Sequence, residues 1–208
     1  MLRLRFNLWI NDANGLSMNN EKDILCIPKN DTEKRFLLGK SGMSVLLAIG
    51  LNPSNANEEK LDPTSRNIRA IANNNGCDGW LLINLYPKRT SKPYNLPKRP
   101  KTALSDENLD VIKGLIENPS NNFKKVLCCW GDYVERHTYL KKQAIEIMSV
   151  IKELNLSFEC IGITKSGNPF HPAPMPVNRF LGGIDNITLK SFEPNSYKVH
   201  EMKKASQS

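Results

Sequence analysis

The sequence has no apolar run approaching the roughly 20 residues that span a bilayer. It also has no C-x-x-C pair, only three histidines, and no internal repeat or low-complexity tract. Each absence excludes a class. Without a long apolar run, a membrane partner is not expected. The five cysteines, Cys26, Cys77, Cys128, Cys129 and Cys160, are odd in number and scattered, so neither a zinc nor an iron–sulfur site is expected, and no metal or other cofactor is implied. Cys128 and Cys129 sit inside an apolar run and suit small buried hydrophobes in a reducing compartment. Residues 1–10 carry charge but lack an apolar h-region and a small-residue cleavage site, so secretion is not expected and a cytoplasmic location is.

A chain of 208 residues with 39% hydrophobic and 24% charged residues can bury one good core and needs no second domain. We therefore expect a single domain and a monomer. The formal charge of +8 and pI near 9.3 favour an acidic partner such as nucleic acid. Lys203 and Lys204 near the end read as solvated.

Along the chain, residues 1–44 contain short apolar stretches broken by Asn, Asp and Gly, consistent with strands and a turn at Asn14-Gly15. They read as a β-rich extension packed on a core of residues 45–183, with residues 184–208 as a tail. Apolar runs at 45–49, 80–84, 125–130 and 158–163 predict buried strands. Between them, Asp62 starts a predicted helix to about Asn74 with Ile68 and Ile71 inward. Residues 105–116 predict another helix, and 135–154 a long amphipathic one facing inward through Ile145, Met148, Ile151 and Leu154. Alternating strands and helices imply a three-layer α/β/α fold around a mainly parallel sheet. Ligands of such sheets bind beyond the carboxyl ends of the strands. The loops there are 50–57, 85–100, 131–133 and 167–176.

Four landmarks occupy those ends in order: Gly50-Leu51-Asn52-Pro53-Ser54, a strand closing on Asn84, Trp130-Gly131, and His171-Pro172-Ala173-Pro174-Met175-Pro176. The order resembles the uracil-DNA glycosylase superfamily, and the segment Val177 to Leu181 looks like the stretch after that family's last loop. The chain is similar as well to a bacterial and phage family known only as a domain of unknown function, with an Asn-Pro-Ser loop of this kind. The resemblance covers residues 45–183 and implies a uracil-DNA-glycosylase-like fold.

It also implies roles. Asn52 would position the hydrolytic water, with Pro53 stiffening its loop; an amide orients water but is no general base. Asn84 offers a donor and an acceptor that can read uracil or thymine or, turned over, cytosine. His171 would donate to the base oxygen as negative charge grows there. Met175 stands where relatives carry an intercalating Leu, and Ala173 replaces a phosphate-binding Ser. Ser54, with Asn55 beside it, replaces a Tyr that blocks the thymine methyl in uracil-specific relatives, which leaves room for a 5-substituent. Lys88 and Arg89, with Lys92, Lys98, Arg99 and Lys101, suit phosphate contacts, and Tyr86 and Tyr94 are available for stacking. Pro172, Pro174 and Arg179 complete the expected DNA surface.

Each residue has a plainer reading. Asn52 can hold a turn, Asn84 can satisfy neighbouring backbone, His171 can be a surface histidine, Met175 a core residue, and the basic loop a solvated one. Trp130 reads as core. The expected activity is a monofunctional DNA glycosylase that flips a modified pyrimidine out of the stack, in repair or in defence against modified foreign DNA. The alternatives are a non-catalytic nucleic-acid- or nucleotide-binding module and a hydrolase of free nucleosides or nucleotides.

Overall fold

The computed structural model describes residues 24–193. The expected turn at Asn14-Gly15 and the chain beyond residue 193 lie outside them. The described strands are β1 (Leu25–Ile27), β2 (Leu37–Lys40), β3 (Val45–Gly50), β4 (Gly79–Asn84), β5 (Phe123–Cys128), β6 (Phe158–Cys160) and β7 (Lys190–Ser191). The helices are α1 (Pro63–Asn74), α2 (Thr102–Glu117), α3 (Thr138–Ile151) and α4 (Pro174–Phe180). The strands make one sheet in the order β1-β2-β4-β3-β5-β6-β7. Its centre, β4-β3-β5-β6, is parallel. β2 joins β4 antiparallel and carries β1, while β7 closes the far edge antiparallel to β6. The first strands therefore extend the sheet in its own plane rather than packing on it.

Strand alternation sorts the core onto two faces. Val45, Leu47 and Ile49 of β3, Leu81 and Ile83 of β4, and Val126 and Cys128 of β5 pack in one cluster with α2 and α3. Leu46 and Ala48, Trp80 and Leu82, and Leu127 and Cys129 pack in the other with Ile68, Ile71 and Ala72 of α1 and Val177 of α4. Both faces are covered, so β3 and residues 80–83 of β4 are apolar without a break and the fold is three-layered. Burying each Leu or Ile contributes roughly 1.5–3 kcal/mol.

α1 forms where expected. Asp62 caps it by accepting the Ser65 N–H at 2.7 Å, Pro63 occupies the first helical position, and Ile68, Ile71 and Ala72 line one face. α2 begins three residues earlier than predicted, directly after Pro100 and Lys101. The long helix expected over 135–154 is divided. Asp132–Arg136 is a 3-10 turn, His137 is extended, α3 ends at Ile151, and Asn155 stops the following 3-10 turn in the left-handed region. The last predicted strand stops at Cys160, because the chain then folds back through Ile163 and Pro169 to close the 164–168 turn. Pro174–Met175, expected in a loop, begin α4.

The four parallel strands have the spatial order second-first-third-fourth, so the chain leaves β3 and β5 toward opposite faces. That puts a topological switch point between them, where ligands of such sheets sit. No described helix is long and apolar enough to cross a membrane. All five cysteines are free and buried, and burial pushes the Cys129 thiol up to about 12. The native protein is expected to resist a thiol-labelling reagent and to expose five reactive thiols in denaturant. Fast native labelling would mean that these cysteine sites open readily.

Candidate active site

Gly50 and Asn84 are register partners at the ends of β3 and β4. A Cβ on Gly50 would lie 2.9 Å from Asn84 Oδ1, so glycine is what lets the Asn84 side chain lie across the strand end. Asn84 is 2% exposed. Its backbone oxygen accepts from Asn108 Nδ2 at 3.0 Å, but its own Nδ2 has no hydrogen-bond partner among the described residues. A buried donor left unpaired costs about 1–3 kcal/mol. The plainer reading, a side chain satisfying nearby backbone, does not describe this amide.

Asn52 divides its side chain between two tasks. Nδ2 donates to Thr90 O at 2.8 Å and Pro53 O at 2.9 Å, which holds the turn. Oδ1 has no partner among the described residues and can accept from water. Pro53 is buried, and Ser54 donates its hydroxyl proton to Asp62 Oδ2. Two arginines fasten the next residues. Nη1 of Arg35 and Nη1 of Arg89 both donate to Ala56 O, at 2.7 and 2.9 Å, and Arg89 Nη1 also reaches Ser54 O at 3.0 Å. Arg35 is 1% exposed; burial, and then the charge of Arg89, bring its pKa down to about 10.

His171 packs against Gly131, where φ is +73° and a Cβ would lie 3.0 Å from His171 Cβ. Its loop is tied to α1, since Asn67 Nδ2 donates to Pro172 O at 2.8 Å. Burial lowers the His171 pKa, opposed by the charge of Asp62; the imidazole is therefore neutral at pH 7. Burial alone would raise the Asp62 carboxyl, but hydrogen bonds from Ser54 and Ser65 and the Arg35 charge outweigh it and hold the group below the usual carboxylate range. Asp62, Arg35, Asn67 and Asn108 were not among the expected site residues. Asp62 read only as a helix start.

The match of a family model to residues 35–173 decides the family. The chain belongs to the family described as "Protein of unknown function (DUF1643)". No curated protein and no solved structure matches it. The DUF1643 segment opens on Arg35 and contains Asn52, Ser54, Asp62, Asn84 and His171. It ends at Ala173, before α4. The family assignment carries no activity, so the glycosylase resemblance rests on the four landmarks alone.

Around this DUF1643 site the expected DNA surface is only partly free. Arg89 spends its donors internally: besides the two carbonyls, Nε reaches Lys34 O at 3.3 Å and Nη2 reaches Cys26 Sγ at 3.5 Å. Tyr86 is fully buried in edge-to-face contact with Tyr139, and its hydroxyl accepts from Lys101 N at 3.0 Å, so it offers no stacking face. Lys88 is half-buried, whereas Asn55, Lys92, Tyr94, Lys98, Arg99 and Lys101 are exposed. Met175 is 63% exposed on α4, which rules out the core reading. Pro174 is exposed beside it, and Arg179, also exposed, lies over the Phe180 ring at 5.5 Å. Pro172 is buried and Ala173 half-buried. Trp130 is core, at 1% exposure. Among the described residues, no group of three or more His, Cys, Asp or Glu is placed to hold a metal ion.

Two outcomes follow from this geometry. Replacing Arg89 by Ala lowers the unfolding free energy by about 1–3 kcal/mol, read from urea denaturation; an unchanged midpoint would return Arg89 to solvent. The His171 imidazole titrates below about 6.5, measurable by NMR. Because its folded pKa lies below the unfolded one, His171 subtracts stability as pH falls through about 6.5 toward the folded pKa, and contributes no pH dependence above that range.

Proposed function

We propose that this chain is a DNA glycosylase that takes a modified pyrimidine out of the stack and hydrolyses its N-glycosidic bond, leaving an abasic site. One observation carries the reading: the Asn84 amide is buried at a strand end beside the switch point with its Nδ2 donors unmatched. A nucleobase supplies the missing acceptor, a ring carbonyl or a ring nitrogen, and can occupy Asn84 Oδ1 with a ring or exocyclic N–H. The four landmarks support the same reading, and through them a membership of the uracil-DNA glycosylase superfamily.

In this mechanism the base leaves with the bonding electron pair, and neutral His171 donates an N–H to the base oxygen on which charge accumulates. Asn52 Oδ1 accepts a hydrogen bond from the incoming water and orients it. The oxocarbenium-like sugar tolerates a weakly activated water, by analogy with glycoside hydrolysis. Ser54, small and half-buried, leaves space for a 5-substituent. Met175 supplies an exposed apolar wedge, and Lys88 with the exposed Lys92, Lys98 and Arg99 supplies phosphate contacts.

The turn-holding bonds of Asn52 Nδ2 favour a second reading, a nucleic-acid- or nucleotide-binding module without catalysis. Incubation with a panel of uracil, 5-substituted uracil and modified cytosine DNAs, then alkaline cleavage, separates the two. Abasic-site formation supports the glycosylase, and binding without cleavage supports the module. Release from free nucleotides but not from DNA would favour a nucleotide hydrolase.

Against the substrate the panel identifies, Asn52→Ala abolishes release with DNA affinity nearly intact, and His171→Ala slows the chemical step by about 100-fold. Wild-type single-turnover rates in either variant would remove that residue from catalysis. Ser54→Tyr suppresses release of 5-substituted bases more than of uracil; equal processing of both would close the open-pocket idea. Lys88→Ala flattens the log-affinity against log-salt slope by about 1, and an unchanged slope would assign Lys88 to solvent.

A further inference from the structure

We propose that Asp62 is a catalytic residue of this site, supplying the negative charge opposite the sugar that the Asn52 amide cannot. The inference rests on the glycosylase reading. Its basis is the bond of the carboxylate to the Asn52 loop through Ser54, and its place at the start of the helix whose Asn67 holds the His171 loop. Oδ2 accepts the Ser54 hydroxyl and Oδ1 the Ser65 N–H, so each oxygen keeps a lone pair, and the residue is half-buried rather than sealed. Ser54 lies two residues beyond Asn52. From the same helix that Asp62 caps, Asn67 holds Pro172, the neighbour of His171.

Two charged groups, Arg35 and Arg66, and the neutral His171 imidazole neighbour Asp62. Arg35 is directed to Ala56 O, Arg66 turns its guanidinium to Leu61 O at 2.6 Å, and His171 lies across the site within reach of the carboxylate's charge. Among the described residues no Lys or Arg nitrogen lies within 4.0 Å of the carboxylate. Its charge is thus fixed in place but not cancelled by a direct ion pair, which suits a group meant to face a transient cation. The unpaired Asn84 amide at the same end of the sheet independently marks a ligand position.

The balance of the step is simple. The C1′–N bond breaks and its electron pair leaves with the base. The sugar becomes cation-like opposite the Asp62 carboxylate, the water oxygen bonds C1′, and a water proton ends on the departed base. Asp62 is unchanged over the cycle.

The test is Asp62→Asn. Asn caps helices as well as Asp does and can still bond the Ser54 hydroxyl, so the substitution removes charge while preserving the fold. A cooperative thermal transition checks this, at a midpoint somewhat below wild type because the Asp62 charge also offsets the buried Arg35 guanidinium. The expected result is a loss of about 100-fold or more in single-turnover base release with DNA affinity retained. The NMR titration midpoint of His171 and the acidic limb of the rate–pH profile should shift together to lower pH. Undiminished release in Asp62→Asn, or an unmoved His171 midpoint, overturns the role of Asp62 and leaves the glycosylase reading standing. Wild-type protein that releases no base from any DNA in the panel overturns that reading and the role of Asp62 with it.

Discussion

Two guanidiniums converge on one carbonyl oxygen, that of Ala56, and the loop after β3 has its shape because of that contact. Burying two like charges side by side is unfavourable, as the depressed pKa of Arg35 shows. The cost is offset by charge-assisted bonds to backbone oxygens and by the negative charge of Asp62. Arg35 enters from the chain just before β2, and Arg89 from the loop after β4. The Asn-Pro-Ser loop is thus held from two directions by groups distant in sequence. Removing either relieves the repulsion on its partner but takes away one of the two anchors of the loop.

The remaining geometry depends on which face of the sheet each loop meets. Asn84 and Gly50 follow the alternation of β4 and β3 onto the face covered by α1 and α4, where Asp62, Asn67 and the His171 loop also lie. The opposite face, under α2 and α3, contributes Asn108, whose amide fixes the Asn84 backbone from behind. One asparagine thus steadies the strand end while the other keeps its Nδ2 donors unpaired. Buried polar groups left unpaired in a native fold are usually matched by a ligand or ordered water, which is why Asn84 carries more functional weight than the exposed cations around it.

Much of the architecture was legible beforehand because it is local or periodic. The continuous apolar runs became the central strands, since both faces are covered. Asp62-Pro63 with Ile68 and Ile71 became a capped helix with one buried face. The division of the helix expected over 135–154 was not legible, because the apolar positions that predicted it, Ile145 to Leu154, all lie beyond His137 and do not mark the extended backbone there. Tyr86 and Arg89 were misjudged for a related reason. A basic, proline-rich loop reads as solvent-facing, but its first residues run back into the core before the chain emerges at Ser91. Asp62 announced its capping role through its neighbours, yet gave no sign that Ser54 would bond it.

The sequence by itself determined the layer order, the strand cores, the start of α1, and the four landmarks at strand ends, because hydrophobic period, capping chemistry and glycine placement act over a few residues. Only the tertiary structure decided which polar side chains are spent and which remain available. Ser54 and Asp62 are eight residues apart, Arg35 and Ala56 twenty-one, and Asn67 and Pro172 one hundred and five. Pairings over such separations are set by strand order and packing, and no local pattern encodes them.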